Sequence, residues 1–143
     1  MVVNREIVVT QGPHGPQREA VFDLSSTHVA AVAAALAHYR RSRFAGAELD
    51  ADQVLELRAL TPLAEQIDDL AAADGHAVVQ TDRSGVCTLV EAVLIYVRER
   101  DVEGYQSPEE RERLTALREL SDPLVELACE LRRAERTQLP AIA

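Results

Sequence analysis

The chain has 143 residues, 47% of them apolar and 27% charged, the length of one domain and the composition of a globular protein, which excludes a disordered or collagen-like chain. Its basic groups are 15 arginines against 24 acids, a net charge of −9, so it repels phosphate backbones and nucleic acid is not an expected partner. No uncharged stretch is long enough to cross a bilayer, so no membrane is expected either.

The acidity is uneven along the chain. Residues 50–106 carry four arginines against twelve acids, whereas the flanking segments are close to balanced.

Residues 1–24 read as a β-hairpin. Glu6–Thr10 and Glu19–Asp23 are rich in branched or aromatic residues, and Gln11-Gly12-Pro13-His14-Gly15-Pro16 between them supplies the turn. A lone hairpin is marginal in water, so the face carrying Ile7, Val9, Ala20, Phe22 and Leu24 is expected to rest on helices, or the hairpin to find a partner edge.

A first helix starts at Ser25-Ser26-Thr27, each a good N-cap, and ends at Arg40, Arg41 and Arg43, which suit a helix C-terminus. A second runs from about Asp50 to Ala73. Pro62 within it predicts a kink or a fresh start, although the apolar phase of Leu57, Leu60, Ala64, Ile67 and Ala71 survives it. Ala77-Val78-Val79-Gln80 is long enough only for a short strand or an extended link.

The third helix begins within Thr81-Asp82-Arg83-Ser84 and reaches about Arg100. Val86, Leu89, Val90, Val93 and Val97, widened by Cys87, Leu94 and Ile95, predict a central helix covered on two sides. Ser107-Pro108-Glu109-Glu110 is a capping-box start for a fourth, long helix, bent at Pro123 but keeping one leucine phase. The whole reads as a single α+β domain, mostly helical: an N-terminal hairpin (1–24) on a three- to four-helix bundle (25–137), with a frayed tail (138–143).

Several residues invite a chemical reading. Cys87 becomes a reactive thiol if Ser84 caps the third helix, and a small buried hydrophobe if Thr81 does; the second is the commoner fate of cysteine. Cys129 falls in an apolar helical pattern. Two cysteines without paired spacing suggest neither a disulfide framework nor a zinc site and suit a reducing, cytoplasmic setting. The first six residues meet charge at once and carry no apolar core of signal-peptide length, so secretion is not expected.

Asp68, Asp69, Asp74 and His76 gather near one helix end in a spacing that matches no ligand loop. His28 and His38 stand ten residues apart on one helix, too distant to share a metal. No metal, cofactor or catalytic residue is therefore expected, and no motif marks a known family.

The stripe Leu117, Leu120, Leu124, Leu127 and Leu131 lies on a helix longer than its neighbours, which leaves apolar surface over in a monomer. Together with Tyr105 in the preceding link, it is the expected interface of a homodimer. The function that follows is a small acidic, non-catalytic protein-interaction or regulatory module. The competing expectation is a small-molecule-binding protein or enzyme with a pocket between the hairpin and the first and third helices, lined by Cys87, His28 or Tyr39. Nucleic-acid binding would require Arg5, Arg40, Arg41 and Arg43 to converge on one face.

Overall fold

A computed structural model describes residues 3–12, 15–46, 48–73, 77–101 and 106–138. The order of elements is β1 (Val3–Gly12), β2 (Gly15–Leu24), α1 (Ser26–Arg43), α2 (Ala51–Ala73), β3 (Ala77–Asp82), α3 (Arg83–Asp101) and α4 (Pro108–Gln138). The fold is α+β, as the sequence predicts, with one elaboration. The short strand β3 joins the hairpin, so the three strands make one antiparallel sheet in the order β1-β2-β3.

Alternation along β2 divides the sheet into two faces. Ala20, Phe22 and Leu24 are buried. Their cross-strand partners Ile7, Val79 and Ala77 lie on the same inner face, which packs on the helices. The outer face carries Val8, Val21 and Val78, with no element over it among the described residues.

The helix starts follow from their caps. Ser25 Oγ accepts from the His28 amide at 3.3 Å, and Ser107 Oγ accepts from the Glu110 amide at 3.1 Å. At α2, Asp50 and Gln53 exchange backbone-to-side-chain bonds of 2.8 and 3.0 Å, a reciprocal capping box. α2 and α4 continue through Pro62 and Pro123 as single helices. Beside Pro62, the Thr61 hydroxyl donates to the Leu57 carbonyl at 2.7 Å.

The core is formed between the inner sheet face and the helices. α1 packs against all three other helices and β2, because Ala31 and Ala35 admit close approach beside Val29, Val32, Leu36 and Tyr39. The sequence predicts α3 as the helix covered on two sides. In the structure Cys87 and Leu94 are exposed, so one side of α3 is bare and α1 is the enclosed helix. Where β3 turns into α3, a side chain at Gly85 would meet Thr81 Oγ1 at 1.8 Å, so the strand and the helix start abut closely there.

Candidate interaction surfaces

The leucine stripe of α4 is core. Leu117, Leu120, Leu127 and Leu131 are 0% exposed and Leu124 is 1%. The single chain therefore encloses the residues expected to form a homodimer interface. The physical reason is that β2, α1 and α3 all pack on α4, which covers its length without a second copy. Tyr105 lies outside the described residues, as do Asp74, His76, His14 and the tail from residue 139.

The pocket expected between the hairpin and helices α1 and α3 exists only in part: a 580 Å³ cavity lies between the hairpin and the start of α3, lined by Pro16, Gln17, Arg18, Ser84, Cys87 and Glu135 among others, whereas toward α1 the space is core, with Phe22, Leu24, Val32, Leu36, Leu89 and Val93 each at most 2% exposed. Its three named lining residues do not meet. His28 Nε2 lies 3.1 Å from a Glu119 carboxylate oxygen, and its Nδ1 is hydrogen-bonded with the Ser25 hydroxyl at 2.5 Å. The Tyr39 hydroxyl donates to Glu56 at 2.6 Å, and of the three only Cys87 lines the cavity beside the hairpin. His38 pairs separately with Glu99.

These buried polar groups bind helices together. Glu56 also accepts from Arg43 at 3.1 Å, tying α1 to α2. The bond from Arg43, then that from Tyr39, holds the Glu56 carboxyl below its ordinary range. Burial first, and then the Glu56 bond, raises the Tyr39 hydroxyl far above its ordinary value. Burial also raises Tyr96, whose hydroxyl donates to Glu110 at 2.9 Å and accepts from Arg113 at 3.1 Å, tying α3 to α4. Because Glu110 serves Tyr96 and Arg113, its carboxylate does not close the capping box.

The arginines named in the sequence analysis stay apart. Arg5 pairs with Glu126 and Glu130 of α4, whereas Arg43 pairs with Glu56 of α2. Among the described residues, no group of three His, Cys, Asp or Glu side chains is placed to hold a metal ion. No described helix is long and apolar enough to cross a membrane.

Among the described residues, two further surfaces bear on association. The first is a groove of 240 Å³ between α3 and α4, lined by Arg83, Cys87, Val90, Val125, Ala128, Cys129 and Arg132. Both cysteines of the chain are free and exposed in it. Neither Ser84 nor Thr81 caps α3: Asp82 Oδ1 accepts from the Gly85 amide at 2.9 Å, which leaves the Cys87 thiol in the second turn, exposed and not buried. Cys129 was legible only in part, since it lies about 200° around the helix from Leu127 and hence off the buried stripe. Leu94 and Val125, 50% and 42% exposed, add apolar surface to the outward sides of these two helices. Arg83 is held by Glu135 at 2.9 Å, while Arg132 has no acidic partner among the described residues.

The second surface is the sheet edge. The two edges differ: Gln66 of α2 donates its Nε2 to the Gln80 carbonyl at 3.1 Å and accepts from the Gln80 amide at 2.9 Å. This carboxamide occupies the place of a neighbouring strand at Gln80, in the middle of the β3 edge. At β1, among the described residues, no side chain or backbone group bonds the outer edge. The ten-residue strand carries only Arg5 and Glu6 as charges and no proline, so it lacks the usual guards of an edge strand. No family model, curated protein or solved structure matches this chain, and these surfaces stand on their geometry alone.

Proposed function

We propose that the protein is a small, non-catalytic interaction module that self-associates and offers its remaining apolar surface to a partner chain. The observation that carries this reading is the unguarded β1 edge, a row of backbone donors and acceptors without partners among the described residues, beside Val9, which is 54% exposed. Such an edge is a template for pairing with another chain. The α3–α4 groove supports the wider role, because an apolar floor flanked by Arg83 and Arg132 suits an acidic, apolar segment on a molecule that is otherwise negative. Two exposed thiols persist as thiols in a reducing compartment, which favours a cytoplasmic setting.

Sedimentation velocity from low to high micromolar concentration tests self-association. A dimer that dissociates on dilution is expected, and a strict monomer throughout overturns the reading.

A further inference from the structure

The geometry points to a specific dimer: two copies pair their β1 strands antiparallel about a two-fold axis at Val8, making one continuous six-stranded sheet. This inference rests on the self-association proposed above and adds its surface and register.

The register follows from which backbone groups are free. Gln66 takes both the N–H and the C=O of Gln80, so these groups face away from β2. In an antiparallel ladder the residue opposite then turns its own groups away too. That residue is Val21, which therefore bonds its partner on β1, Glu6. Alternation fixes the rest: Glu6, Val8 and Thr10 bond β2, whereas Ile7, Val9 and Gln11 aim their N–H and C=O off the sheet. Pro16 provides an independent check. It has no N–H to give, and it stands opposite Gln11, where no bond to β1 is required.

Among two-fold registers of these free groups, the one centred on Val8 matches like with like. Ile7 lies opposite Val9 of the second copy and Val9 opposite its Ile7, as hydrogen-bonded pairs. Val8 meets Val8 on the outer face, and Glu6 meets Thr10. No charge faces its own kind, and Arg5 stays by Glu126 and Glu130 of its own α4. Moving the axis to Ile7 sets Val9 against Arg5 and Val8 against Glu6; moving it to Val9 sets Ile7 against Gln11 and Glu6 against Gly12. Both exchange apolar cross-strand pairs for mismatched ones. The register irregularity between Val3 and Glu6 limits pairing to the segment that follows it, and at the shorter β3 edge Gln66 already holds the N–H and C=O of Gln80.

Val9→Pro provides the test. Among the described residues its N–H serves no bond, and proline is tolerated on an edge strand. The variant is expected to keep the wild-type circular dichroism and to raise the dimer dissociation constant more than about tenfold. A second variant reads the register without weakening the strand. In a Cys87→Ser, Cys129→Ser background, Val8→Cys is expected to cross-link copy to copy on mild oxidation, because residues opposite one another at non-hydrogen-bonded positions bring their Cβ atoms within disulfide reach. Thr10→Cys in the same background is expected not to. A wild-type dimer that is as tight with Val9→Pro, or that cross-links through Thr10→Cys and not Val8→Cys, overturns this interface while leaving self-association standing. A wild-type monomer removes both.

Discussion

Replacing Leu127 by alanine separates a core stripe from an interface stripe. The side chain is fully enclosed, and the substitution removes three carbons, a transfer loss of about 2.4 kcal/mol at ~0.8 kcal/mol per buried methylene. The surrounding residues of β2, α1 and α3 relax incompletely, so a residual void of roughly 50 Å³ adds about 1.2 kcal/mol at ~24 cal/mol per Å³. The expected loss is therefore about 3.6 kcal/mol, within the measured span for buried leucines. With a urea slope of about 2 kcal/mol per molar, the unfolding midpoint falls by roughly 2 M. Val125→Ala, two residues away but 42% exposed, is the control and is expected to change stability by less than about 0.5 kcal/mol. Both measurements are made by chemical denaturation at the lowest workable protein concentration. If the Leu127 stripe were a seam between copies, the loss would shrink on dilution. A loss below about 1 kcal/mol, or one that disappears with dilution, refutes the assignment of α4 to the core.

The remaining expectations concern polar ties. Glu56 has a depressed folded pKa, so its contribution is present above the ordinary value of 4.5 and is lost as pH falls through the folded value. Glu56→Gln is therefore expected to lower stability at neutral pH and to flatten its decline in acid, as read from urea midpoints across pH. Tyr39 is raised, so its contribution is complete below 10.0 and is lost as pH climbs beyond it; Tyr39→Phe is expected to flatten the alkaline limb. Gln66→Ala removes both bonds to the Gln80 backbone. A loss of about 1–3 kcal/mol is expected, together with faster light-scattering growth from the uncovered β3 edge, whereas unchanged stability and scattering would show that water replaces the carboxamide without cost.

Local signals in the sequence proved legible where the determinant was local. Ser25, Ser107 and Pro108 mark helix starts because a cap and its amide lie three residues apart, and the α4 leucines announce one apolar face. What covers that face is not written in its period, so the same stripe serves equally for a seam between copies or, as found, for packing under β2, α1 and α3. The membership of β3 in the sheet was equally obscure, since its pairing of Leu24 with Ala77 joins residues far apart in the chain. The bonding of its Gln80 backbone by Gln66 depends on one side chain of α2 arriving beside it. At the groove, Cys87 and Cys129 count as apolar in any pattern, so only their phase relative to the buried residues of their helices could have told that both face water.

The insertion of β3 after two long helices also has a temporal consequence. On the ribosome, the hairpin is complete some 50 residues before β3 has been made, an interval of about 3–10 s at ordinary translation speeds. Throughout that interval β2 has β1 on one side only, and its inner residues Phe22 and Leu24 have neither β3 beside them nor a finished bundle beneath. Until the later elements arrive, the same residues that end in the core are apolar surface open to other chains.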